Sequence, residues 1–197
     1  QIQDSDLQWF AVAALSVLVS IFVVFFGGPA LVTAPLNMFF WFLGSVVVAV
    51  WFVFRDPAFD YRLLLVGALL PALVDPIFGG ARVLHSVTFS IVLLTVLMLA
   101  TSGRKPTRKM LLGLPVGTLL HLVFTGAWTQ TNVFWWPFFG FGFDDAPHPI
   151  AERGWWNVPL ELIGLALCWW IVQRAELRRP DRRAQFRSTG QLSLPGQ

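Results

Sequence analysis

The chain has 197 residues, of which 56% are hydrophobic and 13% charged, with a formal net charge of +3 and a mean hydropathy of +0.66. A soluble domain carries about 25% charged residues to cover its surface, so this composition argues against a water-soluble globule and for a bundle bathed in lipid. The single cysteine, Cys168, excludes an intrachain disulfide and gives no sign of a thiolate metal cluster.

A helix needs about 20 apolar residues to cross the hydrocarbon core, and the apolar runs predict about six such segments. The first runs from Leu7 to Phe26 and ends at Gly27-Gly28-Pro29. The second runs from Leu36 to Phe54 and stops at Arg55-Asp56-Pro57. The third, Tyr61 to Val74, is short, contains Pro71 and is closed by Asp75-Pro76, so its full crossing stays open. The fourth runs from Ala81 to Thr101, the fifth from Met110 to Trp128, and the sixth, after a long aromatic loop, from Val158 to Val172. None alternates with a period of two, which argues against barrel strands. The expected fold is all-α: a polytopic bundle over residues 1–173 and a basic, disordered tail over 174–197.

Basic residues set the orientation. Arg104, Lys105, Arg108 and Lys109 link the fourth and fifth segments, and Arg174, Arg178, Arg179, Arg182, Arg183 and Arg187 follow the sixth. With six crossings both groups fall on one side with Arg55 and Arg62, so 12 of the 14 basic residues share the face expected to be cytoplasmic, along with both termini. The expected location is the plasma (inner) membrane, with membrane lipids as partners. The tail lacks aromatic interleaving or a groove-reading motif, which argues against nucleic acid.

That orientation gathers the polar residues at the opposite face. Asp75, His85, His121, Asp144, Asp145, His148, Glu152, Arg153 and Glu161 all fall there, including all 3 histidines of the chain. Ionisable groups within spans are costly and usually mark function. Imidazoles with carboxylates suit zinc and other divalent metals. Asp75, His85 and His121 are the expected metal ligands, with Asp144, Asp145 or Glu161 as fourth ligand or catalytic base. Arg82 or Arg153 could hold a phosphate. Structural alternatives stand beside each reading: Asp75 as a turn cap, His85 and His121 as interhelical hydrogen-bonders, Glu161 as a helix-start residue. The tryptophans, among them Trp135, Trp136, Trp155 and Trp156, read as an interfacial belt or as the walls of a lipid cleft.

Leu69-Leu70-Pro71 followed by Asp75-Pro76 and Leu84-His85-Ser86, then Gly117-Thr118-Leu119-Leu120-His121 with Phe134-Trp135-Trp136-Pro137, and finally Asn157-Val158-Pro159-Leu160-Glu161, resemble the YdjM-like membrane-bound metal-dependent hydrolases. The resemblance covers roughly residues 65–165. It implies a polytopic protein with a metal centre at Asp75, His85, His121 and Glu161. Thr125 stands where the family has an aspartate, and Val83-Leu84 stand where it tends to carry a His-Arg pair. Thr125 and Trp136 are therefore expected beside the substrate rather than on the metal. The function so implied is a metal-dependent hydrolase acting on a lipid or lipid-linked substrate at the extracytoplasmic face. The alternative is a non-catalytic membrane subunit that binds or transports lipid or docks a partner protein.

Overall fold

The computed structural model describes residues 38–78, 81–143, 149–192 and 194. The first apolar segment, Leu7 to Phe26, and Asp144, Asp145 and His148 lie outside them. Among the described residues every regular element is helical.

Helix α1, Phe39–Phe54, ends where Arg55 turns left-handed (φ 46°) and donates its amide to Trp51. Helix α2, Tyr61–Val74, has the bounds expected from sequence: the Asp60 carboxylate accepts from the Arg62 amide at its start, and a 3-10 turn, Asp75–Phe78, follows its end. The fourth apolar run does not begin helically at Ala81. A 3-10 turn over Val83–His85 leads to an extended Ser86, whose hydroxyl caps α3, Val87–Ala100, by accepting from the Phe89 amide. The fifth run is likewise divided, into α4, Lys105–Leu111, and α5, Gly113–Thr125. Pro115 is the cause: it has no amide to give Leu111, and its ring crowds that carbonyl. Gly126 (φ 67°) ends α5. Two short helices, α6 (Thr131–Phe134) and α7 (Pro149–Arg153), precede α8, Asn157–Arg174. Together with the turn before it, α8 forms the 21-residue stretch Gly154–Arg174, the one described helix long and apolar enough to cross a membrane; α1, α2 and α3 are shorter apolar helices.

Glycines allow two close helix pairs. Gly67 of α2 faces the Leu114 backbone, and Gly117 of α5 faces that of Leu64; a methyl group at either position would collide with main chain. Gly113 and Gly117 form a small-xxx-small stripe, the pattern that lets helix backbones approach. Gly164 of α8 lies equally close to Phe40 and Trp41 of α1. Val46, Val50, Tyr61, Leu64, Ile171, Leu192 and Leu194 make the main apolar core.

The expectation of a disordered tail does not survive. Pro180–Thr189 forms helix α9, with Pro180 in the first turn, Asp181 beside it and Gly190 (φ 72°) as its stop. The Arg62 guanidinium joins Asp60 (2.7 Å) to the Arg187 carbonyl (2.8 Å) at the end of α9, while the Tyr61 amide donates to Gly190. Leu192 and Leu194 then enter the core, which offsets the entropy of ordering this polar segment. Lys109 and Asp56 pair at 2.7 Å, so the α1–α2 loop and α4 meet. Its hydrogen bond to Lys109 holds the Asp56 carboxyl below the ordinary carboxylate range.

Candidate functional site

At the end of α2 away from Arg62, three side chains that the sequence singles out meet in the interior. Asp75, His85 and His121 are each fully buried. The close α2–α5 packing brings His121 against α2, where its Nδ1 donates to the Ala68 carbonyl at 2.6 Å. The turn over Val83–His85 folds His85 back onto the end of α2, and its Nδ1 donates to Asp75 Oδ2 at 2.7 Å. The Arg82 amide donates to the same oxygen at 2.8 Å. The Phe42 ring of α1 packs against His121 with centroids 4.4 Å apart.

These partners fix both ring tautomers. A carbonyl can only accept, so Nδ1 of His121 carries a proton; an ionised carboxylate imposes the same on His85. A ring that donates from Nδ1 carries its lone pair at Nε2 in its neutral form. The two Nε2 atoms face each other at 3.4 Å. Lone pairs at that separation repel unless a proton or a cation lies between them. Two nitrogens at about 2.0–2.1 Å from a tetrahedral zinc ion would stand about 3.4 Å apart. An Nδ1–H held by a carboxylate or a carbonyl is the usual outer support of a metal-binding histidine. The pair thus fits two positions of a tetrahedral centre. Among the described residues no group of three His, Cys, Asp or Glu has the arrangement of a complete metal site.

Asp75 joins the cluster in a different role from the one expected. Its Oδ2 holds the ring nitrogen of His85 that faces away from His121, so it orients an imidazole and does not share the point between the two Nε2 atoms. Its Oδ1 is buried without a hydrogen bond. Glu161 also departs from expectation. Its carboxylate accepts from the amides of Phe40 (3.1 Å) and Trp41 (3.0 Å), which open α1. Met38 before that helix offers no side-chain cap, and Glu161 supplies from α8 the acceptors the helix start lacks. Both oxygens are engaged there, so the structure gives Glu161 the work of a helix cap. Thr125, buried, donates its hydroxyl to the His121 carbonyl at 2.7 Å, one turn back along its own helix; it shows no substrate-facing proton.

The remaining candidates surround the same end. The Arg82 guanidinium lies over the Phe143 ring (5.6 Å), and Phe143 stacks on Trp136 (5.8 Å). Helix α6 packs on the Val83–His85 turn, so the aromatic segment that follows lies beside His85. Arg153 donates from Nη2 to the Phe124 carbonyl (2.8 Å), to which Trp41 Nε1 also donates (3.2 Å). Ser90 and Thr118 bridge α3 and α5 through a 3.1 Å hydroxyl pair. Sequence reasoning missed the Ala68 carbonyl and Phe42. A backbone acceptor leaves no compositional trace, though the Gly113/Gly117 stripe could have signalled that α2 lies against the His121 face. No family model matches the chain, and no curated protein or solved structure matches it either.

Proposed function

We propose that this chain is a multi-pass inner-membrane protein that holds a divalent metal, zinc by ligand type, between His85 and His121, and that it hydrolyses a lipid or lipid-linked substrate at the extracytoplasmic face. The family resembled by its motifs has the same character. Support for lipid surroundings comes from an exterior and interior exchanged relative to a soluble protein. Ile91, Val92, Val96, Leu99, Leu162 and Ile163 face outward, while Asp75, His85, His121, Glu161, Ser90 and Thr118 are buried. A water-soluble chain would aggregate through such an exterior, and polar side chains turned inward are how helices associate in lipid. The Arg-rich loops and α9 then face the cytoplasm.

The observation that carries the chemistry is the facing Nε2 pair at 3.4 Å, with both Nδ1 atoms tied to acceptors. A bound zinc ion would lower the pKa of a coordinated water and polarise the bond to be cleaved. His85 and His121 would hold it, Asp75 and the Ala68 carbonyl would aim the two rings, and Phe42 would keep His121 from swinging. With Glu161 engaged by α1, Asp144 and Asp145 are the carboxylates proposed to accept the proton.

Metal analysis of the purified protein tests this reading. About one zinc per chain is expected, absent from His121→Ala and from His85→Ala. Asp75→Asn should keep the site but weaken zinc about 10–100-fold, the usual effect of removing a supporting carboxylate. Wild-type protein without stoichiometric metal would overturn the hydrolase reading. The chain would then be a non-catalytic subunit that binds lipid or docks a partner.

A further inference from the structure

Arg153 occupies an unusual setting. Its Nη2 serves the Phe124 carbonyl, but its Nη1 is buried and makes no hydrogen bond. Among the described residues no carboxylate pairs with it. Burial alone pulls its pKa down. A half-buried guanidinium with one neutral partner and one buried, unsatisfied nitrogen is a costly arrangement unless an anion completes it. The Phe124 carbonyl lies three residues beyond His121 on α5, about 4.5 Å further along the helix axis, so Arg153 is anchored to the same end of the helix that carries His121.

The surroundings indicate which anion. Trp155 and Trp156, stacked 4.4 Å apart and exposed, follow Arg153 directly. Trp128, Trp135, Phe138, Phe139 and Phe141 are also exposed at this end. Such an aromatic girdle sits at the depth of lipid headgroups, where phosphate is the prevailing anion. A guanidinium fork fits two phosphate oxygens at once.

We propose that Arg153 is the anchor of a phosphoryl-binding subsite at the mouth of the histidine centre, so that the substrate is a phosphate ester rather than a neutral ester or amide. This deepens the hydrolase reading and rests on it for the reaction, though not for the binding. A lipid headgroup and a free phosphate ester present the same phosphoryl chemistry, and Nη1 would donate to one of its oxygens in either case.

The test uses the full chain in neutral-lipid nanodiscs, titrated calorimetrically with inorganic phosphate and, separately, with dihexanoyl phosphatidate, while zinc content is measured in parallel. Arg153→Gln is expected to weaken phosphoryl binding at least tenfold with zinc content unchanged, and Arg153→Lys to recover part of the loss. Arg153-dependent binding of phosphatidate alone identifies a headgroup, and of inorganic phosphate alone a soluble ester; either supports the subsite. Wild-type protein that binds neither ligand overturns it. So does a variant with a lower melting temperature but undiminished phosphoryl affinity, since Arg153 would then only cap α5. Loss of zinc from wild-type protein with phosphoryl binding intact would defeat the hydrolase reading and leave the subsite standing.

Discussion

A carboxylate buried among apolar helices has to find donors, and Glu161 finds the two amides that open α1. Glu161→Ala should cost about 1–3 kcal/mol, the price of stranding buried polar groups, read as a lower midpoint of thermal unfolding in detergent. Glu161→Gln keeps one acceptor oxygen and should lose less. A wild-type midpoint for the alanine variant would refute the capping role. Sequence reasoning finds Glu161 as an acid at a helix start but cannot see this partnership, because its amides lie 121 and 120 residues away in the chain. Asp75 is similar: its residue type and the proximity of His85 were readable, but which ring nitrogen it would meet depends on how the Val83–His85 turn folds back.

At the level of elements, the α2–α5 contact governs the centre. Gly117→Val would drive a branched side chain into the Leu64 backbone; overpacking of this kind typically costs about 1–3 kcal/mol. Pushing the helices apart should also separate His121 from Ala68, so the proposed zinc binding should fall more steeply than stability. Zinc content that simply tracks the folded fraction would argue against this coupling. Helix α2 was legible to the residue because Asp60 before it and Asp75-Pro76 after it are ordinary start and stop signals. The start of α3 was not, since Ser86 is hidden inside an apolar run and only its hydroxyl bond to the Phe89 amide shows it to be a cap. Pro115 lies inside the apolar run from Met110 to Trp128, yet a proline there removes an amide that one continuous helix needs.

Across the whole molecule, distant segments are joined at the Arg-rich end. Arg62 ties Asp60 to the last turn of α9, so Arg62→Ala should release the tail. Limited trypsin digestion should then cut between Arg178 and Arg187 several-fold faster, with the rest of the chain intact; unchanged cutting would show that the Tyr61–Gly190 hydrogen bond and the buried Leu192 and Leu194 suffice to hold the tail. Composition led the tail to be read as disordered, yet Pro180, Asp181 and Gly190 are the start and stop signals of a short helix. The Asp56–Lys109 pair has a predictable pH dependence. Its folded carboxyl lies below the ordinary 3.8, so its contribution is complete above that value and is lost as pH falls through the lower, folded one. The pair is partly exposed, and its worth is about 0.2–1 kcal/mol. Lys109→Gln should therefore lower the melting temperature slightly at neutral pH and converge with wild type in strong acid; a constant offset would assign the effect to packing.

The acceptor that fixes the tautomer of His121 belongs to the main chain of α2. No side-chain substitution at position 68 deletes that oxygen. Retuning this imidazole therefore means sliding or rotating one helix past the other, a displacement that would also carry Asp75, at the far end of α2, away from His85. The aim of both rings is thus coupled to a single mechanical variable, the register between two helices.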